Sequence, residues 1–337
     1  MIFLTDRPPQ LETPIRYFRQ DLTPNEAFFV RWHLEGIPTS VDLRTFRLNV
    51  SGHVRQPLQL SVDDLRSQFE PISIIAVNQC SGNSRSFFHP RVPGGQWKDG
   101  ACGNAKWTGV SMRSILDRAQ VKAGAVDVSF NGLDVPPLRS IADFVKALSI
   151  DHARDGEVMI AYAMNDQPLP MVNGFPLRLV VPGWYGTYWV KAVCDITVLP
   201  QPFSNFWTDK AYRIPKGPNG TESPKDLAKD TIPIDKFNVR SIFVRPESGM
   251  PESRMKLRAS RLIQVTGFDE WRCRPTGEPP GQMLDWIRKS ESIRGAAGGR
   301  PGHQETAGSI DSWLGRQMRW EKLRARNNGT ALVLCGM

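Results

Sequence analysis

The chain alternates short apolar runs with polar and Pro- or Gly-rich segments, a pattern typical of many short strands joined by loops. Residues 72–77 form a β-branched run that predicts a buried strand ending just before Cys80. One-sided apolar spacing predicts three short helices, two of them opened by Ser61 and Ser111 as N-caps. The predicted strands are residues 27–34, 46–52, 72–77, 126–130, 158–163 and 173–183, and the predicted helices are residues 61–69, 111–119 and 141–148.

The length of 337 residues allows a large core and two domains, which we place at residues 1–236 and 237–337. Strand-like patterns return at residues 239–244 and 263–268, but β-branched residues then become rare. The 69 residues from 269 onwards hold seven of them: Thr276, Ile287, Ile293, Thr306, Ile310, Thr330 and Val333. Because this is too few for a β-sandwich, our hypothesis is that a reading-frame error, in the gene or in its sequencing, produced residues 269–337.

Composition narrows the class of protein only a little. The net charge is +9, with 40% hydrophobic and 23% charged residues. Lys and Arg are scattered, so we predict no nucleic-acid binding; an anionic substrate, an anionic cofactor, an acidic partner or a plain basic surface each explains the charge. No segment is apolar over the length of a membrane helix, and the first residues lack the pattern of a signal peptide. The five cysteines show no CxxC pairing and leave the compartment open.

Cys80 is the first candidate for chemistry. It follows a core strand and stands five residues before Arg85, and a positive neighbour favours the thiolate that binds metals or attacks electrophiles. A cysteine in such a place can equally be a small buried hydrophobe.

Two further pairs of cationic side chains occur in apolar context. Arg31 and His33 fall on the same side of the predicted strand, which suits either an anionic ligand or pairing with carboxylates. Arg178 lies in a Gly- and Pro-bounded strand and Lys191 follows a Gly-rich aromatic stretch. Such cations suit a phosphate, although each could also be an ordinary surface residue.

Five separated motifs, in order, resemble those of the sulfite oxidase family of molybdenum enzymes, and the resemblance extends over residues 3–268. The motifs are Phe-Phe-Val-Arg-x-His-Leu at 28–34, Cys-Ser-Gly-Asn-Ser-Arg at 80–85 followed by Trp97, Ala-Lys-Trp-Thr-Gly-Val at 105–110, Gly-Phe-Pro-x-Arg at 174–178, and Val-Pro-Gly at 181–183 followed by Val-Lys at 190–191. Within the family, the chain is similar to the molybdenum subunit of bacterial sulfite dehydrogenase.

The resemblance implies an α+β fold, in which a mixed molybdopterin-binding domain precedes an immunoglobulin-like β-sandwich used for dimerisation. That second domain is expected to be disrupted after about residue 268. The resemblance also implies that Cys80 is the protein ligand of molybdenum. The implied contacts to the molybdopterin cofactor are His33, Cys80, Asn173, Arg178 and Lys191, and the implied catalytic residues are Arg31, His33, Arg85 and Tyr212. Many relatives have His in place of Asn173, and on sequence alone Tyr212 could be a packing residue.

The implied reaction is oxidation of sulfite to sulfate by oxo transfer, with electrons leaving one at a time to an external cytochrome c-type acceptor or haem subunit. We expect no haem in this chain, because it lacks both CxxCH and a cytochrome b5 module. The resemblance further implies a periplasmic protein, dimeric if its C-terminal domain is intact.

Two alternatives stay open. The first is a molybdenum oxidoreductase that reduces a sulfoxide or nitrate. The second is an inactive, cofactor-free relative that serves as a binding or structural protein. Metal analysis distinguishes the second alternative, and a sulfite assay with cytochrome c distinguishes the first.

Overall fold

The computed structural model describes residues 1–216, 227–238, 240 and 244, and the backbone of four strands between residues 263 and 333. It divides the chain into two units, Met1–Met250 and Pro251–Met337. The strands of the first unit are β1 Ile2–Thr5, β2 Gln10–Glu12, β3 Val30–Arg31, β4 Leu48–Gly52, β5 Leu58–Leu60, β6 Pro71–Gln79, β7 Cys102–Ser111, β8 Asp127–Gly132, β9 Lys146–Ser149, β10 Met159–Met164, β11 Gln167–Pro168, β12 Arg178–Val180, β13 Val193–Leu199, β14 Arg213–Pro215 and β15 Thr231–Pro233. The α-helices are α1 Val62–Gln68, α2 Met112–Ala119, α3 Ile150–Ala153 and α4 Phe206–Asp209.

One five-stranded sheet carries the segment that leads to Cys80. Its order is β11–β10–β7–β6, and β12 also pairs with β10. The strand predicted at residues 72–77 is confirmed as β6, whose antiparallel ladder with β7 ends at the pair Gln79–Cys102. The Cys80 amide then donates to the carbonyl of Ala101 at 2.9 Å. The pairing of β6 with β7 therefore fixes the backbone position of Cys80, where the chain leaves the sheet.

The second five-stranded sheet has the order β5–β4–β13–β8–β9, with β4 and β13 parallel. The helix predicted at residues 141–148 is wrong, because this segment ends in strand β9, which pairs with β8. Buried residues recur there at every second position, namely Phe144, Lys146 and Leu148. That period is the strand period, and the sequence pattern concealed it because one of the three buried residues is a lysine.

Two predicted helices are confirmed as α1 and α2. Ser61 caps α1 by accepting from the Asp64 amide, and the Asp64 carboxylate accepts in return from the Ser61 amide, which forms a capping box. Ser111 precedes α2 but makes no side-chain cap bond. The apolar face of α2 is buried, as its one-sided spacing predicts.

The N-terminal segment forms a small sheet, β1–β2–β3. The strand predicted at residues 27–34 is too long, because a 3₁₀ turn occupies Asn25–Ala27 and only β3 is extended and paired. Glu12 of β2 is buried and accepts a hydrogen bond from the Lys98 amide. The N-terminal segment therefore contacts the loop between Cys80 and β7 near the end of that loop.

The core of the first unit lies against the two larger sheets. Trp107 of β7 is fully buried, packs edge-on against Phe28 and Trp189 at ring-centroid distances of 5.7 and 5.5 Å, and donates from its indole to the Ala76 carbonyl. Among the helices of the part of the chain that the structure describes, none is both long and apolar enough to cross a bilayer.

In the second unit, Ile263–Thr266 pairs with Thr330–Val333, and Trp271–Pro275 pairs with Met318–Lys322, both antiparallel. The remaining residues of this unit lie outside the described part. The predicted β-sandwich and the reading-frame hypothesis therefore stay predictions.

Candidate active site

One cavity of about 340 Å³, its open mouth included, brings together six of the eight residues predicted for the site. Its lining residues are Phe29, Arg31, His33, Asn78, Cys80, Ser81, Arg178, Gly186, Thr187, Lys191 and Tyr212. Three of the lining residues are basic, namely Arg31, Arg178 and Lys191, and no Asp or Glu lines the cavity. The cavity is therefore suited to an anionic ligand.

Cys80 is the first residue after β6, where the strand gives way to a loop. Its thiol is free and half-buried, and its sulfur accepts from the Gly82 amide at 3.4 Å. Within the described residues, no three His, Cys, Asp or Glu side chains are grouped closely enough to hold a metal on their own.

Arg31 and Tyr212 meet across the cavity. The guanidinium Nη2 of Arg31 donates to the Tyr212 hydroxyl at 3.3 Å, and Nη1 donates to the Trp32 carbonyl. Burial raises the pKa of Tyr212, so its hydroxyl stays protonated and can itself donate to an anion. Tyr212 has a φ of 54°, in the left-handed region that a tyrosine seldom adopts.

His33 lies on an aromatic wall. Its ring stacks on Phe144 at 3.5 Å with an interplanar angle of 8°, and it meets Trp207 and Tyr212 edge-on at 5.6 and 5.4 Å. Burial, followed by the charges of Arg31, Lys191 and Lys146, lowers the pKa of His33 well below its ordinary value. His33 is therefore a neutral hydrogen-bonding group at pH 7 and not a cation.

Arg178 and Lys191 are a buried and a partly buried basic residue, respectively. Arg178 is 2% exposed, with its guanidinium 5.1 Å from the Trp107 ring and donating to the Asn173 carbonyl at 2.9 Å. Burial lowers the pKa of Arg178 to about 9. Burial and the charge of Arg178 lower the pKa of Lys191 well below its usual range, and its ammonium group donates to the Arg31 carbonyl. Neither side chain forms an ion pair with a carboxylate of the described residues.

Arg85 and Asn173, the other two predicted residues, do not line this cavity. The Arg85 guanidinium is held inside the loop after Cys80, where Nη1 donates to the Gly95 carbonyl at 3.3 Å. Its charge nevertheless acts on Tyr212. Asn173 is fully buried behind the cavity and donates to the Phe29 carbonyl at 3.2 Å.

Sequence reasoning missed two polar residues of the cavity, Asn78 and Thr187. Both amide atoms of Asn78 and the Thr187 hydroxyl are buried without a hydrogen-bond partner among the described residues. A Cβ on Gly186 would lie 2.9 Å from Asn78 Oδ1, so glycine allows the two segments to approach. Asn78 could have been found from the sequence, because it lies two residues before Cys80 on the same strand face.

A second cavity of about 220 Å³ shares His33, Gly186 and Lys191 with the first. It adds Asp134, which is 3% exposed and whose pKa burial raises to about 6. The Asp134 charge acts on Lys191. The two cavities therefore form neighbouring parts of one polar interior around Lys191.

Comparison with known proteins identifies the family. The model for the oxidoreductase molybdopterin binding domain matches residues 34–207, more than half of the chain. Human mitochondrial sulfite oxidase is 34% identical over 253 residues, which cover 73% of this chain and 44% of the human protein. The NADH nitrate reductase 1 of Oryza sativa subsp. japonica is 28% identical over 237 residues, which cover 67% of this chain and 25% of that protein.

Among solved structures, the sulfane dehydrogenase SoxCD from Paracoccus pantotrophus aligns with a TM-score of 0.55 at 26% identity, covering 64% of this chain and 53% of that one. The chain spans less than half the length of the curated human and rice relatives. The match over residues 34–207 includes Cys80, Arg178 and Lys191. The chain belongs to the sulfite oxidase family of molybdopterin-binding oxidoreductases.

Proposed function

We propose that the protein oxidises sulfite to sulfate in the cavity of Cys80, using molybdenum held by molybdopterin. One observation carries the proposal: a single cavity combines a free thiol with three cationic side chains and has no carboxylate in its lining. We further propose that the electrons leave one at a time to an external cytochrome c-type acceptor, and that the protein works in the periplasm. The relatedness to sulfite oxidases supports the substrate.

The residues of the cavity fit molybdopterin. This cofactor is a pyranopterin with a phosphate, so it needs cations and many hydrogen-bonding groups. Arg178 and Lys191 supply two basic side chains, and the unpaired polar atoms of Asn78 and Thr187 supply donors and acceptors at the same cavity. Asn173 Oδ1 and Arg178 Nε are likewise buried without partners in the described part of the chain. Unpaired buried polar groups cost stability, and an embedded polar cofactor would satisfy them.

The molybdopterin cofactor, when bound, supplies the two-electron redox chemistry of the metal and the dithiolene sulfurs that ligate it. In the proposed arrangement Cys80 offers a soft thiolate ligand. Arg178 and Lys191 neutralise the phosphate, and Asn173 keeps Arg178 in place through its carbonyl. Two hydrogen bonds fix the position of Arg31: its backbone carbonyl accepts from Lys191, and its guanidinium donates to the Tyr212 hydroxyl.

The proposed substrate contacts are Arg31, Tyr212 and neutral His33. A guanidinium can present two donors to an oxyanion, and a tyrosine hydroxyl adds a third. Arg85 contributes charge from inside its loop without lining the cavity. Conversion of sulfite to sulfate adds one oxygen atom from water and releases two protons and two electrons. Each turnover therefore requires two one-electron acceptor molecules.

The test is steady-state oxidation of sulfite by purified, molybdenum-loaded protein with oxidised cytochrome c, matched to molybdenum content. We expect sulfite-dependent reduction of two cytochromes per sulfate formed. Cys80→Ser should abolish turnover while pterin content stays near that of the wild type, because Arg178 and Lys191 still hold the cofactor. Near-normal turnover in Cys80→Ser would contradict the role of this residue, and absent turnover in loaded wild type would contradict the function.

Nitrate reduction is the rival reaction, favoured by the relatedness to a rice nitrate reductase. Nitrate is a monoanion, whereas sulfite near neutral pH carries up to two charges. A cavity lined by three basic side chains and by no carboxylate favours the ligand of higher charge. Reduction of nitrate by a chemically reduced preparation that leaves sulfite untouched would establish the rival.

A further inference from the structure

Lys146 is a buried cation that the proposed reaction does not use. It is the first residue of β9 and is 1% exposed. Phe144 and Leu148, two positions before and after it, are also buried. It lines neither cavity. A fully buried lysine is rare unless something compensates its charge, so its surroundings need an explanation.

The ammonium group of Lys146 has one hydrogen-bond acceptor and two aromatic neighbours. It donates to the Trp207 carbonyl at 3.0 Å and lies 4.5 Å from the Tyr188 ring and 5.8 Å from the Tyr212 ring. No carboxylate of the described residues lies within ion-pair distance of it. The nearest acidic influence is Asp209, whose charge acts from beyond that distance. Burial lowers the pKa of Lys146 to about 8, so it remains mainly charged at pH 7.

The groups around Lys146 connect it with His33 and Tyr212, two residues that line the proposed substrate cavity. Phe144, two residues earlier, stacks on His33. The Trp207 ring packs against Phe144, His33 and Tyr212 at 5.2, 5.6 and 6.3 Å. The Lys146 charge reaches through this layer, because it is one of the charges that lower the pKa of His33.

A buried cation without an ion pair lowers the stability of the fold. Three further cationic side chains, Arg31, Arg178 and Lys191, occupy the same interior. Among the described residues, the acidic groups that act on Lys191 are Asp134 and Cys80. A bound anion would supply the missing negative charge. The low local dielectric makes a fixed cation effective beyond direct contact.

We propose that Lys146 is a buried positioning cation that tunes the Arg31 cavity for doubly charged oxyanions without touching them. It acts by its field through the His33 and Tyr212 layer. The inference deepens the proposed function and rests on it for the identity of the dianion as sulfite or its product sulfate. Since the energy of a fixed charge with a ligand scales with ligand charge, Lys146 should discriminate a dianion from a monoanion of similar size.

The experiment compares sulfate and nitrate binding to oxidised, molybdenum-loaded protein by titration calorimetry at pH 7, in wild type, Lys146→Met and Lys146→Gln. Met keeps the length without charge, and Gln keeps a donor for the Trp207 carbonyl without charge. We expect both variants to raise the Kd of sulfate roughly ten- to a hundredfold, because a buried unit charge acts on a doubly charged ligand through a low effective dielectric constant. The Kd of nitrate should rise only by about the square root of that factor.

Lys106→Met is the matched control. Lys106 forms a 2.7 Å ion pair with Asp166 on the outside of β7, with its side chain 36% exposed. This variant should leave both dissociation constants unchanged. Equal molybdenum content and matched circular dichroism spectra exclude a folding or loading defect as the cause.

Three results would overturn the proposal: equal loss of sulfate and nitrate affinity, wild-type affinity in Lys146→Gln, or no sulfate binding by loaded wild type. The first two would make Lys146 a packing or hydrogen-bonding residue. The sulfite assay separates this proposal from the proposed function. If wild type fails to oxidise sulfite but the charge-dependent loss appears, the function is wrong and the role of Lys146 stands.

Discussion

Arg31 and Tyr212 are 181 positions apart in the chain, yet the Arg31 guanidinium donates to the Tyr212 hydroxyl at 3.3 Å. Arg31 ends the short strand β3, and Tyr212 immediately precedes β14 in a left-handed backbone conformation. Because Lys191 also donates to the Arg31 carbonyl, this arginine connects the proposed cofactor contacts with the proposed substrate contacts.

Arg31→Gln tests the substrate side of this connection. The variant keeps a donor but loses the charge, and a hydrogen bond to a charged group is worth about 1.5–3 kcal/mol. We therefore expect kcat/KM for sulfite to fall roughly ten- to a hundredfold, mostly through KM, while molybdenum content stays unchanged. Paired kinetics and metal analysis make the measurement. An unaltered KM at equal metal loading would make Arg31 a structural residue.

Tyr212→Phe probes the pair itself. Removal of the hydroxyl should lower kcat/KM for sulfite by about tenfold, the cost of one hydrogen bond. In the double variant Arg31→Gln/Tyr212→Phe, the two losses should not add, because the residues touch and act on one anion. Strict additivity in the double-mutant cycle would show that the two side chains act independently.

Much of the site could be predicted from the sequence. The candidate-site motifs contain Gly and Pro residues that restrict the local backbone conformation. A match to such a motif therefore also predicts the backbone position of Cys80, Arg178 and Lys191. The ladder of β6 then places Cys80, and β12 places Arg178 beside the buried rings of Trp107 and Trp189. Local pattern and tertiary position agree at these points.

Other parts of the site could not be predicted, because tertiary contacts decide them. Lys146 interrupts an otherwise apolar strand pattern and makes residues 141–148 resemble a helix, while the structure buries it as a strand residue. Asn78 is polar, so the pattern predicts that the strand ends at Val77, although β6 continues through Asn78 to Gln79. In both cases a polar side chain is buried rather than left on the surface.

Lys191→Ala should affect cofactor retention more than substrate affinity. The lysine is partly buried, lies near Arg178 and borders both cavities. Loss of a charge-assisted bond to a phosphate costs about 1.5–3 kcal/mol, which should reduce molybdenum occupancy measurably. The measurement is molybdenum content per protein after purification and dialysis. Full occupancy with a large rise in sulfite KM would reverse the assignment.

Arg240 should stabilise the loop that follows Cys80. Its guanidinium donates to Asp99 at 2.5 Å and also to the Ser84 hydroxyl, and both charged side chains are less than a third exposed. Arg240→Met leaves the Asp99 carboxylate without this partner, so we expect a loss of about 1.5–3 kcal/mol in the free energy of unfolding. Chemical denaturation provides the measurement. The control is Arg44→Met at the exposed pair with Asp42, which should leave the free energy of unfolding almost unchanged. If both variants lose the same small amount of stability, the Arg240–Asp99 pair contributes no more than an exposed ion pair.

Lys146→Met should increase stability at neutral pH. The pKa of Lys146 is lowered from 10.5 to about 8 by burial. Below pH 8 the lysine is protonated in both states, and the folded state bears the full cost of the buried charge, about 3 kcal/mol for this shift. Between pH 8 and 10.5 the unfolded chain holds more protons than the folded one, so the stability of the wild type rises with pH and the cost disappears.

The difference in melting temperature between Lys146→Met and wild type should therefore be positive, a few degrees at pH 7, and should shrink towards pH 10. Cofactor-free protein is used for both, so that ligand binding does not contribute. Lys106→Met should show a difference within about 1 °C at both pH values, because exposed ion pairs contribute little. If Lys146→Met melts below wild type at pH 7, the bond to the Trp207 carbonyl and the contact with Tyr188 outweigh the cost of burial. The lysine would then be retained for folding rather than for the anion.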